Sequence, residues 1–192
     1  DLDPVVSEFR YDAAGRRTRI IDPNGGVTRI EYDGLDREKR RTDPEGHATE
    51  FKYDLIGNLR MVIDPLGHRT EFEYDKRYRQ TDVIDHFGNR TVTGYDEAGN
   101  ATSVRNARGF ETVRVFNELD QMIERVDAKG NSEFFDYDEN GNRTLYRNRR
   151  GFETHFEYDE LDRVIKVVDA LDGMQTIVYD KVGNKVETID EE

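Results

Sequence analysis

The dipeptide Tyr-Asp recurs at a spacing that never varies. It stands at Tyr11-Asp12, Tyr32-Asp33, Tyr53-Asp54, Tyr74-Asp75, Tyr95-Asp96, Tyr137-Asp138, Tyr158-Asp159 and Tyr179-Asp180, and Phe116-Asn117 fills the one gap. Every step is 21 residues, with no insertion or deletion. A period this short is one supersecondary unit, too small to bury a core alone, so neighbouring copies must supply each other's contacts. About nine copies run across residues 1–192, which form one array.

Residues 64–84 show the logic of a unit. Asp64-Pro65-Leu66-Gly67 has the chemistry of a β-turn: Asp accepts from downstream N–H groups, Pro presets φ, and Gly tolerates positive φ. Thr70, Phe72 and Tyr74 then alternate with Arg69, Glu71 and Glu73. Period 2 predicts a strand with one aromatic and one charged face. A second turn covers 75–79, and a second strand covers 80–84, where Thr81 and Val83 share a face. Other units repeat the aromatic pair at Phe51/Tyr53, Phe135/Tyr137 and Phe156/Tyr158, while Ile20, Val62, Val83, Val104 and Val167 form one column of the second strand. The expected fold is all-β, with about eighteen short antiparallel strands, two per repeat, joined by turns of about four residues.

The glycines fall into two sets. Gly25, Gly46, Gly67, Gly88, Gly109, Gly130 and Gly151 belong to the turn that opens each unit, and Gly15, Gly57, Gly99, Gly141 and Gly183 to the turn after Tyr-Asp. The second set skips alternate units, which carry Asp36, Tyr78, Asp120 and Asp162 instead. This 42-residue super-period suggests that neighbouring repeats sit in two environments, an idea that one shared turn conformation would remove. At 169–173 the turn glycine arrives one residue late, as a bulge or a relaxed terminal repeat would produce.

Internal substitutions indicate what the motif needs. Asn117 replaces the Asp of Tyr-Asp, and Asn106 and Asn148 replace the Asp found at 22, 43, 64, 85, 127 and 169 in the other turn. Asn keeps an accepting oxygen and loses the charge, so a local hydrogen bond is the requirement. Phe116 makes the ring matter more than the hydroxyl. Rings meeting across repeats would form a ladder of cross-strand aromatic pairs.

Composition narrows the function. Only 34% of residues are hydrophobic, 37% are charged, and mean hydropathy is −0.93. Such a chain has little core to bury, but ten Tyr and ten Phe at fixed phase argue for a thin ordered wall rather than disorder. A net charge of −13 argues against nucleic acid and anionic membrane as partners. No apolar run approaches the roughly 20 residues that span a bilayer, so this segment inserts in no membrane as a helix. Asp1-Leu2-Asp3-Pro4 is not a signal peptide. Cysteine is absent, so the redox compartment is unreadable.

Chemistry-bearing constellations are weak. A calcium ladder would need a different period and a Gly-Gly-x-Gly-x-Asp signature. His47 and His68 share a phase and could approach each other, but His86 and His155 are out of phase, leaving no third ligand. No acidic residue stands in an apolar context or breaks the repeat, as a glycosidase carboxylate would. The expectation is no catalytic residue, no metal and no cofactor. Exposed aromatics make carbohydrate an alternative partner.

The repeat resembles the YD repeats of Rhs proteins, in Phe-Lys-Tyr-Asp-Leu-Ile-Gly-Asn (51–58), Phe-Asp-Tyr-Asp-Glu-Asn-Gly-Asn-Arg (135–143) and Phe-Glu-Tyr-Asp-Glu-Leu-Asp-Arg-Val (156–164). The resemblance implies a continuous curved strip of sheet that spirals into a hollow shell. In bacterial Rhs effectors and in the C components of insecticidal toxin complexes such a shell encloses a C-terminal toxin, and in teneurins related repeats serve adhesion. It further implies a non-enzymatic scaffold in a secreted or injected bacterial protein, a type VI secretion effector among the possibilities, with the rest of its own shell and an enclosed toxin as partners. The chain then reads as a fragment of a larger polypeptide, without a toxin or cap domain of its own. The alternative is an extracellular carbohydrate- or protein-binding adhesion module. Asp-Pro-x-Gly at 22–25, 43–46 and 64–67 echoes the family's self-cleavage element, but its repeat phase marks turns. An open strip also leaves sheet edges, which favours edge-to-edge self-association.

Overall fold

A computed structural model describes residues 6–191; the reading of Asp1–Pro4 lies outside the described residues. The described residues are all β, with eighteen strands and each strand antiparallel to its neighbours. The chain divides into two compact units, 1–92 and 93–192. The first holds β1 (Glu8–Tyr11), β2 (Arg17–Ile21), β3 (Val27–Tyr32), β4 (Glu38–Thr42), β5 (Ala48–Tyr53), β6 (Leu59–Ile63), β7 (Arg69–Tyr74) and β8 (Gln80–Ile84). It also holds the start of β9 (Arg90–Tyr95). The second holds β10 (Ala101–Arg105), β11 (Glu111–Phe116), β12 (Met122–Val126), β13 (Ser132–Tyr137), β14 (Arg143–Arg147), β15 (Glu153–Tyr158), β16 (Val164–Val168), β17 (Met174–Tyr179) and β18 (Lys185–Glu191).

Within each unit the strands form a meander, so Tyr-Asp turns line one margin of the sheet and the unit-opening turns line the other. Phe51 pairs with Val62, Phe72 with Val83, and Phe156 with Val167. Threonines continue the same face, as in Val62 with Thr70 and Val83 with Thr91. β-branched and aromatic side chains suit this pleated, half-covered surface. Each such pair contributes about 0.2–1 kcal/mol, and a sheet one layer thick rests on many of them. Among the described residues, Ile30 and Phe135 are the only buried apolar side chains.

The opposite face is not uniformly charged, as period 2 alone suggests. Ile63, Ile84, Val126 and Val168 end their strands there, half-buried beside the charges. A bulge also recurs beside the motif aromatic. Tyr32 pairs with Glu38 while Glu31 pairs with Arg40, so Lys39 has no opposite number. The same shift occurs at Tyr53, Tyr74, Phe116 and Tyr137. The extra residue bends and twists the strand locally.

All nine Tyr-Asp turns place their fourth residue, counted from Asp, in the left-handed region. The residue is Gly15, Asp36, Gly57, Tyr78, Gly99, Asp120, Gly141, Asp162 or Gly183. The two-environment reading of the super-period gains nothing from the sign of φ, because both turn forms place the same position in the positive range. The late glycine is corrected: Asp172 takes the left-handed slot at φ 63°, Asp169 N donates to Gly173 O at 3.0 Å, and the turn is regular. Tyr78 is the costliest occupant, since a left-handed L-residue costs about 1–2 kcal/mol and Tyr lacks the short polar side chain that eases it in Asp. Tyr78→Gly is expected to raise the urea midpoint, with a net gain of about 0.5–1 kcal/mol after glycine's larger unfolded-state entropy is counted. A lowered midpoint would show that the exposed ring holds something.

Candidate functional site

The Tyr-Asp margin is where the repeats engage one another. Asp33 shows the turn: its N–H donates to Arg37 O at 2.8 Å, and its Oδ1 accepts from the N–H groups of Leu35 at 2.9 Å and Arg37 at 3.1 Å. Its Oδ2 takes the Arg37 guanidinium through Nε at 2.8 Å and Nη2 at 2.7 Å. The hydrogen bond from Arg37 holds the Asp33 carboxyl below the usual range against the opposing pull of desolvation. That guanidinium lies 4.5 Å from the Tyr53 ring centroid in the next repeat, and the Tyr53 hydroxyl donates to Glu38 O at 2.9 Å. One Arg thus closes its own turn and covers the neighbour's ring. Arg16 over Tyr32 and Arg163 over Tyr179 repeat the arrangement.

The hydroxyl contact is periodic. Tyr32, Tyr74, Tyr137, Tyr158 and Tyr179 donate to the carbonyls of Arg17, Leu59, Met122, Arg143 and Val164, fifteen residues back. Tyr95 is engaged too, and Tyr11, in the first strand, is 60% exposed. Phe116 has no hydroxyl to give, and the carbonyl fifteen residues back, Ala101 O, accepts from Arg114 Nη1 at 3.3 Å. The hydroxyl is replaced, not dispensed with. Tyr53→Phe, which has no such substitute, is expected to cost about 1 kcal/mol in urea unfolding. An unchanged midpoint would make the hydroxyl idle.

The carboxylates follow a matching rule between the Asp position and the residue four later. Asp partners are donors: Arg16, Arg37, Arg79 and Arg163, or Asn58, Asn100, Asn142 and Asn184. Where Asn117 replaces Asp, its Nδ2 donates to Gln121 Oε1 at 2.8 Å, so the partner has become an acceptor. On the other margin, His47, His68, Asn89 and Asn131 face Asp43, Asp64, Asp85 and Asp127. Asn106 and Asn148 keep their Oδ1 contacts to the N–H groups of Phe110 and Phe152, whose side chains demand nothing from the amide. Gly26 follows Asp22, where any Cβ would stand 2.3 Å from Asp22 Oδ2.

Side chains also reach from turn to turn along this margin. Asn100 Nδ2 reaches Asp120 Oδ1 in the next turn at 2.7 Å, and Asn142 Nδ2 reaches Asp162 Oδ1 at 2.6 Å. Gln121 Nε2 lies 3.2 Å from where a Gly141 Cβ would stand and Arg163 Nη1 lies 3.8 Å from that of Gly183, whereas a Cβ at Gly57 or Gly99 would meet open space. Arg37 Nη1 crosses to Asp54 O at 3.2 Å in the turn holding Gly57. Arg16 reaches Asp36 as an ion pair.

Two carboxylates are buried, contrary to the expectation that none leaves the repeat. Glu133 stands in a column otherwise mostly threonine and is 6% exposed. Arg125, directly opposite, donates Nε at 2.6 Å, Tyr146 donates its hydroxyl at 3.1 Å, and Arg149 Nε lies at 3.4 Å. Burial pushes this carboxyl up, but the hydrogen bonds from Arg125 and Tyr146 and the two positive charges outweigh it, and the net direction is down. Asp82 is the second: Arg90 Nε binds its Oδ1 at 2.6 Å while Nη2 binds Glu73 at 2.8 Å, bridging two carboxylates that face each other. In sequence, the signal was the cluster Arg114, Phe116, Arg125 and Glu133, all departures from their columns in adjacent strands.

The histidines sort differently from their phase. The His68 and His86 rings meet tilted by 32° with centroids 4.2 Å apart, and His86 meets Phe87 tilted by 41° at 3.6 Å. Asp43, Glu45 and His47 bring three ligand atoms within 4.8 Å in one exposed turn, and the His47 ring is already held by Asp43 Oδ2 at 3.0 Å.

The RHS Repeat family profile matches residues 11–49 and 137–174. No curated protein matches the chain. Among solved structures, the crystal structure of TcdB2-TccC3-TEV aligns with 96% of this chain at 14% identity and a TM-score of 0.53. That of TcdB2-TccC3-Cdc42 aligns with 96% at 13% identity and a TM-score of 0.49. This chain spans 14% of each of those chains, and what it shares with the first is the fold. Residues 11–49 and 137–174 thus match the RHS repeat, and the 21-residue register they share runs unbroken across all nine copies.

Proposed function

We propose that this chain is wall: a non-enzymatic segment of a YD-repeat shell that encloses a C-terminal toxin or effector of its parent polypeptide, in a secreted or injected bacterial protein. The observation that carries the reading is the single layer. Strands pair along the chain, side chains on both faces are mostly half-buried, and Ile30 and Phe135 are the only apolar side chains buried among the described residues. A sheet with Phe51, Phe72 and Phe156 on one half-covered face finds further cover in enclosed polypeptide or adjoining wall. The margin contacts support the same role, since they join repeat to repeat.

The test is limited trypsin digestion of the intact parent polypeptide, with fragments read by mass spectrometry. Sequence beyond the repeats should resist cleavage while the wall is intact and become sensitive when Tyr-Asp turns are disabled. Equal cleavage in both states would overturn containment. The glycan-binding alternative has less support, because the tyrosines that would stack on sugar tie their hydroxyls to backbone carbonyls; glycan-array binding lost on Tyr74→Ala would restore it.

A further inference from the structure

On the margin opposite the Tyr-Asp turns, three successive hairpins of the second unit reverse the charge of this acidic chain. Loops 105–111, 126–132 and 147–153 carry Arg105, Arg108, Lys129, Arg147, Arg149 and Arg150 against Glu111, Asp127 and Glu153. Their counterparts at 21–27 and 42–48 carry Asp22, Asp43 and Glu45 and no Lys or Arg. The two outer turns, each net basic, also replace their opening Asp with an amide, at Asn106 and Asn148, and place Phe110 and Phe152 four residues later, while the middle turn is neutral. Those rings are 54% and 42% exposed.

The cations are available. Arg108, Lys129 and Arg150 are exposed and enter no ion pair among the described residues, although Arg150 lies 5.0 Å over the Phe152 ring. Arg149 instead leans across to the middle turn, with Nη1 3.2 Å from Asp127 Oδ2. Between Phe110 and Arg149 lies a shallow depression of about 590 Å³, floored by Thr112, Asp127 and Asn131 and edged by Lys129. Alternate hairpins on a margin stand two strand spacings apart, so three of them span about 19 Å, the length of about six extended residues.

We propose that this margin docks an extended acidic peptide with an apolar residue near its centre. Its carboxylates meet Arg108, Lys129 and Arg150, and its apolar side chain enters the depression against Phe110. Charge complementarity sets the occupant, and the net −13 of the chain limits its length. A nucleic acid strand would run past the three turns onto acidic surface, and its phosphates would face Asp127.

Fluorescence polarisation of a fluorescein-labelled octapeptide, Glu-Asp-Leu-Glu-Phe-Asp-Glu-Glu, tests the site with the 192-residue chain. Binding is expected to weaken with added salt, and to fall about tenfold or more in a variant combining Arg108→Glu, Lys129→Glu and Arg150→Glu. The thermal melt should change little, because none of these cations enters an ion pair among the described residues and only Arg150 gives up a ring contact, with Phe152; Lys129→Glu alone gives the same direction should the triple variant melt early. Phe110→Ala should also weaken the peptide, and an oligothymidylate of equal charge should bind less tightly. Wild-type affinity in the charge-reversed variants, or an oligothymidylate that binds as tightly as the peptide, would overturn the proposal.

Discussion

Asp33→Ala is expected to melt the chain about 4 °C or more below the parent, the loss expected when a side chain that caps two backbone donors is removed. The N–H groups of Leu35 and Arg37 lose their acceptor, and Arg37 loses the carboxylate that aims it over Tyr53. Damage therefore crosses into the next repeat, and hydrogen exchange should quicken in β5 as well as in β3 and β4. The sharper form is a cycle. Asp33→Asn sets an amide N–H₂ against a guanidinium, two donors with nothing to share. Asn117 with Gln121 is the chain's own remedy, so adding Arg37→Gln to Asp33→Asn should recover stability, although Arg37→Gln alone should lower it. Additive effects of the two substitutions would mean that the matching rule is coincidence.

Glu133→Ala is expected to cost about 1–3 kcal/mol, the range for stranding the partners of a buried hydrogen-bonded group whose arginines keep some water. Arg125 and Arg149 would be left facing each other, with Arg114 directly opposite Arg125 and the Tyr146 hydroxyl without its acceptor. Glu133→Gln keeps the shape and an accepting oxygen, so it should cost less. The carboxyl is held below its ordinary value of 4.5 in the folded chain. Its stabilisation is therefore complete above about pH 4.5 and is lost as pH falls through the lower, folded value. The turn carboxylates Asp12, Asp33 and Asp159, each held down first by its Arg, act in the same direction. Urea midpoints measured from pH 7 down to pH 3 should fall for the parent and fall less steeply for Glu133→Gln. Parallel curves would remove Glu133 from the acid response.

What could be read without coordinates was local. The Asp-Pro-x-Gly turns, the alternation of Thr70, Phe72 and Tyr74, and the column Ile20, Val62, Val83 all follow from rules that reach four residues or fewer. The hydroxyl of Tyr53 and the reach of Asn142 to Asp162 lay beyond such rules, because their partners stand fifteen and twenty residues away. Internal comparison also misled at two points. Phe116 and Asn117 looked like proof that hydroxyl and charge are optional, whereas Arg114 and Gln121 had changed with them. Glu133 looked like one more surface acid because its neighbours in sequence are Ser132 and Phe134.

The sequence by itself determined the period, by recurrence, and the strand and turn content, which is written in backbone preferences that act within one turn or one strand. The tertiary structure decided which side chains meet. A bulge beside each motif aromatic leaves one residue without an opposite number, and with it sets which side chain faces which across the hairpin. Only with that shift in place does Arg114 stand opposite Arg125, and only on a shared margin does Asn142 of one turn reach Asp162 of the next.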